Sequence, residues 1–266
     1  MNIAIISGAS SGLGASFVRA IIELRKNAGQ KDLLSKLSEL WFIARNKEKL
    51  ESLQKEILDS QSVQNPLKCK IFALNLADLS SFETLENALK SQNAQISLLI
   101  SNAGVARYGK FVDSSLQDML DIINVNIIAS SALTKICLPF IAQGSKIIEV
   151  SSVASFAPNV NLLVYSASKA YLSAFSLGLN EELKAQGIGV CALCPGLMQT
   201  GMTPDLGQTR EDARKLPELD SQKVAINTIK AALKGKTLYT PSLFYKLYAI
   251  LARILPRALI IKLAKM

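Results

Sequence analysis

Ser7-Gly8-Ala9-Ser10-Ser11-Gly12-Leu13-Gly14 follows the apolar run Ile3-Ala4-Ile5-Ile6 and precedes a segment with helical periodicity. Its glycines are spaced G-x-x-x-G-x-G. Glycine lets the chain turn sharply and lets backbone N–H groups come close to a ligand. A helix opening at the end of the loop adds unpaired N–H donors and the positive end of its dipole, which suit a pyrophosphate. Strand, glycine turn and helix in that order form the first unit of a dinucleotide-binding fold. Taken alone, the loop also suits a simple tight turn.

Outward from the loop, short β-branched runs alternate with helical stretches. Strands are predicted at 3–7, 40–44, 69–74, 97–101, 146–150 and 189–193, with a short seventh at 237–239. Helices are predicted at 46–60, 80–91, 116–141, 164–186 and 221–234. This alternation calls for right-handed crossovers and a parallel sheet covered on both faces. The strands are almost wholly apolar, as burial on both faces demands. The predicted class is α/β, a doubly wound parallel sheet of about seven strands. Residues 25–39 lengthen the first crossover and are expected to form an extended or broken helix. Residues 1–241 read as one domain. Residues 242–266 read as an apolar, basic helical tail, broken at Pro256 and packed on that domain or on a partner.

The chain has 266 residues, 49% hydrophobic and 19% charged. That excludes disorder and low complexity and is ample for a sizeable core. There is no histidine, which excludes a Ser-His-Asp hydrolase, a Cys-His protease and a His-ligated metal site. No metal is expected, and proton chemistry falls to Tyr, Lys, Asp, Glu or Cys. The 30 basic residues exceed the 21 acidic ones, a formal charge of +9. Such a surface suits an anionic ligand or membrane, or is simply lysine-rich and solvated. No basic stretch is interleaved with aromatics, so a nucleic-acid partner is not expected. Cys191 and Cys194 form a C-x-x-C inside an apolar strand, where residues three apart face opposite ways. They read as buried structural thiols, not a redox pair. A secretory signal would need a basic start and a cleavage site, and neither is evident. No uninterrupted apolar run reaches the length of a membrane span. A cytoplasmic location is expected.

Tyr165-Ser-Ala-Ser-Lys169 places a phenol and an ammonium on one helix face. A tyrosine with a pKa near 10 is a poor base at neutral pH, and a nearby cation favours its phenolate. Ile148-Glu-Val-Ser151-Ser152 closes a predicted strand. Asn126 lies among Ile122, Ile123, Val125, Ile127 and Ile128, so it is expected to be buried and to need a partner.

Together these motifs resemble the short-chain dehydrogenase/reductase family. The glycine loop resembles its T-G-x-x-x-G-x-G signature, with Ser7 in place of threonine. Ser152 lies thirteen residues before Tyr165, the family's spacing for the serine that binds the substrate carbonyl oxygen. Asn126 stands where the family has an asparagine that holds a water linking the lysine to solvent. Ser101-Asn102-Ala103-Gly104 resembles N-N-A-G, and Pro195-Gly196-Leu-Met-Gln-Thr200 resembles the P-G-x-x-x-T stretch along the nicotinamide. The resemblance runs in order from Ser7 to Thr200. It implies a Rossmann-type fold and the catalytic set Ser152, Tyr165, Lys169 and Asn126. The cofactor contacts it implies are Gly8, Ser10, Ser11, Gly12, Leu13, Gly14, Arg45, Asn75, Leu76, Asn102, Ala103, Gly104, Tyr165, Lys169, Pro195, Gly196 and Thr200.

NAD enzymes of this type place an acid at the end of the second strand, on the ribose hydroxyls. Here that strand ends Trp41-Phe-Ile-Ala44-Arg45-Asn46, with Ala44 at the acidic position and Arg45 after it. A guanidinium suits a 2′-phosphate, so NADP(H) is the expected cofactor. Asn75 stands where the family usually has aspartate near the adenine, which implies altered adenine contacts. The implied activity is hydride transfer between NADPH and a ketone, aldehyde or 3-oxoacyl compound. Phe156, Leu162, Leu197 and Met198 are expected to line an apolar substrate pocket, with 200–220 as a lid. Trp41 is expected near the adenosine end. The tail can lie on an anionic membrane, pack on a partner subunit or cover the pocket. A homodimer or homotetramer is expected. The alternative is a non-catalytic NADP(H) sensor or membrane-surface scaffold on the same fold.

Overall fold

The computed structural model describes residues 1–29, 32–61, 66–198 and 216–264. Its strands are β1 (Asn2–Ser7), β2 (Glu39–Ala44), β3 (Lys68–Ala73), β4 (Gln95–Ser101), β5 (Ile141–Val150), β6 (Gly189–Leu193) and β7 (Leu238–Tyr239). They form one sheet in the order β3-β2-β1-β4-β5-β6-β7, with every pairing parallel. The strand order reverses between β1 and β4, and the carboxyl ends of strands at such a point are where ligands bind.

Successive side chains of a strand face opposite ways, so each face of this sheet needs its own cover. Ala4 and Ile6 of β1 face α1 (Gly12–Lys26), α2 (Lys47–Ser60) and α7 (Ser221–Leu233), which supply Phe17, Ile21, Leu50, Ile57 and Ile229. Ile3 and Ile5 face the other way. They meet Leu85 and Leu89 of α3 (Phe82–Ser91), Leu133 of α5 (Ser130–Cys137) and Leu179 of α6 (Leu163–Leu183).

Three segments differ from expectation. α1 ends at Lys26; Leu34 and Leu37, beyond it, are buried in turns, not in a broken helix, and Glu39 already belongs to β2. The predicted helix 116–141 is α4 (Leu116–Ile122), a π-helical turn at Ile123–Ala129, then α5 and a 3-10 turn at Leu138–Phe140. Leu116–Phe140 is long and apolar enough to cross a membrane by length and composition. Here it flanks the sheet instead, with Ile122, Asn126, Ala129, Leu133 and Cys137 buried. β5 begins at Ile141, earlier than predicted. The tail holds two further helices, α8 (Leu243–Ile254) and α9 (Arg257–Leu263), which break at Pro256 as the sequence suggested. The four cysteines are free thiols, and Cys191 and Cys194 are buried.

Candidate active site

At the switch point, side chains splice two loops together. The Ser7 hydroxyl accepts from the backbone N–H of Asn102 (2.9 Å) and Ala103 (3.0 Å). The Asn102 amide donates to the carbonyls of Ser7 (3.0 Å) and Gly8 (3.4 Å). Ser7 and Asn102 thereby tie the loop after β1 to the loop after β4. Gly8 and Gly12 have φ of +66° and +52°, the left-handed region that favours glycine. A Cβ at Gly14 would run into the Gly8 carbonyl.

Across the cavity, the wall is made of buried polar side chains. Asn126 lies in the π-helical turn and is wholly buried; such turns recur at functional sites. Its Oδ1 accepts from the Val105 N–H (2.8 Å), and its Nδ2 donates to the Val105 carbonyl (3.0 Å) and the Ser168 hydroxyl (3.0 Å). Asn126 thus clips the loop after β4 to α6. The Ser152 hydroxyl accepts from the Ala154 N–H (3.1 Å) and hydrogen-bonds the Tyr165 phenol. The Ser151 hydroxyl instead donates to the Lys169 carbonyl (2.7 Å) and pairs with Ser173 (2.8 Å). The Lys169 ammonium donates to the Val150 carbonyl (2.8 Å) and stands 5.7 Å from the centroid of the Tyr165 ring. A Cβ on Gly104 would lie 3.3 Å from both Lys169 Nζ and Asn126 Oδ1, so glycine lets that loop pass close to both.

Behind Lys169 is a group that sequence reasoning passed over. Glu149, next to the last residue of β5, is wholly buried, and its carboxylate accepts from the Thr134 hydroxyl (2.6 Å). Burial pushes its pKa up to about 7, while the Thr134 and Ser101 hydroxyls and the Lys169 charge offset part of that rise. Burial brings Lys169 down to about 8, against the pull of Glu149. The sequence had Lys169 depressing the Tyr165 pKa. In the structure burial holds the phenol above its ordinary value, and the Ser152 bond offsets only part of this. The Lys169 ammonium is bonded to the Val150 carbonyl and stands off the Tyr165 ring. An acid inside an otherwise apolar strand run was the signal that could have flagged Glu149.

A cavity of about 550 Å³ joins the two walls. It is lined by Gly8, Ser10, Ser11, Gly12, Leu13, Arg45, Asn75, Leu76, Asn102, Ala103, Gly104, Ser152, Tyr165, Lys169, Pro195 and Gly196. Gly14 and Asn126 stand behind this lining, and Thr200, with most of the predicted lid, lies outside the described residues. Leu162, Leu197 and Met198 line the cavity as expected. Phe156 does not; its ring turns to Tyr248, centroids 6.4 Å apart. Trp41 is fully buried against Phe72 and does not reach the cavity. Tyr108, Tyr245 and Tyr248 line it unforeseen. The residues fit a dinucleotide. The glycine wall leaves room that a Cβ would fill, and the charged groups lining the cavity are Arg45, Lys49 and Lys169, with no carboxylate among the described lining residues.

The short-chain dehydrogenase family model matches residues 2–211. The chain belongs to this family. Among curated relatives of this chain, inactive hydroxysteroid dehydrogenase-like protein 1 of Homo sapiens is 33% identical over 208 residues, which covers 75% of the chain and 57% of the relative. The very-long-chain 3-oxoacyl-CoA reductase of Anas platyrhynchos is 30% identical over 208 residues, 75% of the chain and 61% of the relative. The chain thus spans less than two thirds of the length of these proteins. Of solved structures, a short-chain dehydrogenase from Sphingobium yanoikuyae in complex with NADPH superposes with a TM-score of 0.74 at 26% identity, covering 91% of this chain and 88% of that one.

Proposed function

We propose that this short-chain dehydrogenase is an NADP(H)-dependent carbonyl reductase or alcohol dehydrogenase acting on an apolar ketone, aldehyde or 3-oxoacyl compound. The observation that carries this is one cavity with Ser152, Tyr165 and Lys169 at one end, and at the other Arg45 and Lys49, with no carboxylate among the described lining residues. A cationic, carboxylate-free wall favours a 2′-phosphate over a bare ribose. The very-long-chain 3-oxoacyl-CoA reductase among its relatives and the apolar lining from Leu162, Leu197 and Met198 point to an apolar substrate.

Gly8, Ser10, Ser11, Gly12, Leu13, Asn102, Ala103, Gly104, Pro195 and Gly196 would hold the cofactor, with Gly14 keeping helix and loop close. Asn75 and Leu76 would flank the adenine. When bound, the cofactor supplies the hydride. Ser152 and Tyr165 donate hydrogen bonds to the substrate oxygen, aimed where charge develops. Tyr165 gives its proton to that oxygen, and a phenol held above its ordinary pKa keeps the proton until then. Lys169 would hold the cofactor ribose, and it places positive charge beside the phenol ring. Asn126 keeps Lys169 and the 102–105 loop in register through Val105 and Ser168. The free thiols are in keeping with a reducing, cytoplasmic setting.

The test is a fluorescence titration with NADPH and NADH, followed by a screen of apolar carbonyl compounds with NADPH oxidation as readout. Preferential NADPH binding with turnover of any carbonyl supports the proposal, and binding of neither nucleotide overturns it. A second reading, a non-catalytic NADP(H) sensor, is favoured by the inactive relative. It predicts NADPH binding without turnover.

A further inference from the structure

The helix α8 is apolar almost all round, and its two sides meet different surroundings. At 100° per residue, Leu243, Phe244, Leu247, Ile250, Leu251 and Ile254 fall within an arc of about 120°. All six are exposed, from 47% at Leu251 to 73% at Ile254. The opposite side packs inward. The Tyr245 ring lies against Gly196, where a Cβ would collide with it. The Tyr245 hydroxyl donates to the Pro217 carbonyl (2.8 Å) and accepts from the Leu197 N–H (3.2 Å). Tyr248 lines the same cavity. One helix is therefore both a wall of the candidate active site and the carrier of a contiguous exposed apolar stripe, which marks an interaction surface.

Charge tells what that surface meets. After Asp220 the sequence holds nine basic residues and no acidic one, and through Asp220 21 basic residues face 21 acidic ones. The whole formal charge of +9 thus belongs to the part of the chain that carries α8. Lys246 and Arg253 are exposed on the flank of the stripe, and Arg257 and Lys262 are exposed on the next helix. A second copy of the chain packed on this face by two-fold symmetry would bring cations against cations. A surface of anionic lipid offers apolar depth for the stripe and negative charge for its rim.

We infer that α8 seats the protein on an anionic lipid bilayer, with the catalytic cavity opening beside the lipid, so that the carbonyl substrate is a lipid-borne, long-chain compound. The substrate clause rests on the reductase reading; the docking clause does not.

Vesicle flotation of the full chain tests the docking. With phosphatidylcholine vesicles containing roughly 30% phosphatidylglycerol the protein should float, and with phosphatidylcholine alone about tenfold less. Leu247→Glu with Ile254→Glu should lose at least about tenfold in partitioning, while NADPH affinity stays unchanged and reports that the variant is folded. Insertion has a direct readout, because Trp41 is wholly buried. A tryptophan placed by Leu247→Trp should be quenched by brominated phosphatidylglycerol, and one placed by Leu58→Trp on α2 should not. Equal flotation of wild type and double variant, or equal quenching at both positions, overturns the proposal. So does a dimer that ignores vesicles and that the double variant splits, since the stripe would then join two copies. Flotation and quenching need no turnover, so they decide the docking even where the reductase reading fails. Given turnover, the double variant should lose about tenfold in kcat/KM for hexadecanal in vesicles and keep its rate on soluble hexanal. Equal loss on both overturns the substrate clause alone.

Discussion

The two ends of the cavity are made of different material. The end formed by β1 and β2 is backbone: Gly8 and Gly12 in left-handed conformations, Gly14 against the Gly8 carbonyl, and loops tied by Ser7 and Asn102. The end formed by β5 and α6 is side chain: Asn126, Glu149, Ser151 and Lys169 are almost wholly buried and bonded to one another's neighbours. A backbone site positions a ligand without titrating, and it fails when a methyl group is added. A side-chain site carries protons, and it fails when one charge or hydroxyl is changed. The contrast assigns cofactor placement to the first end and chemistry to the second.

The largest effect should come from the chemical end. Tyr165→Phe keeps the ring that stands beside Lys169 and removes only the hydroxyl. Turnover should fall roughly a hundred- to ten-thousand-fold, with NADPH affinity nearly unchanged by fluorescence titration. Comparable losses of affinity and turnover would erase the division of labour.

Glu149→Gln probes the same end through pH. An ordinary carboxyl titrates near 4.5, and burial raises Glu149 to about 7. Below the lower value both folded and unfolded chains are protonated there. As pH rises toward 7 the unfolded chain ionises first, so stability falls by roughly 3 kcal/mol through this group. The Gln variant lacks that fall. Lys169, without its carboxylate neighbour, is also held lower, which again favours the variant's fold as pH rises. Thermal unfolding from pH 5 to pH 7 should therefore show the variant gaining on the wild type. Parallel pH profiles would mean that burial does not raise the Glu149 pKa in the fold.

At the backbone end, Gly14→Ala adds one methyl group against the Gly8 carbonyl. Overpacking of this kind costs about 1–3 kcal/mol. Reduced NADPH affinity and a lowered unfolding temperature are expected, with no change in the shape of the pH profile. An altered pH profile would show that the two ends are not separable.

The backbone end was also the more legible in the sequence. Glycine spacing and β-branched runs are local signals. They place the glycine loop and the strands, although β5 begins at Ile141 and not at the predicted Lys146. Asn126 was legible too, since an amide amid isoleucines must find partners. What stayed hidden depends on distant packing. Glu149 sits next to Lys169 only because β5 lies under α6. Tyr245 and Tyr248 reach the cavity only because the tail folds back over Gly196. Residues 25–39 have helical composition, yet Leu34 and Leu37 are drawn into the core from turns, a tertiary preference that outweighs a weak local one. The π-helical turn carries no periodicity signal of its own.

Arg45→Asp gives the sharpest view of the cofactor end. Arg45 is exposed at the cavity rim beside Asn46 and Lys49, on the last turn of chain before α2. A guanidinium bonded to a phosphate contributes about 1.5–3 kcal/mol. Its loss, with a carboxylate put in its place, should weaken NADPH about ten- to a hundredfold. NADH affinity should hold or improve, because a carboxylate there can accept from ribose hydroxyls. Lys49 remains nearby as a second cation, so some NADPH binding should persist, and Lys49→Glu added to Arg45→Asp should remove it. A variant that still prefers NADPH would place phosphate recognition elsewhere in the cavity. The backbone end would then hold the dinucleotide without reading its phosphate.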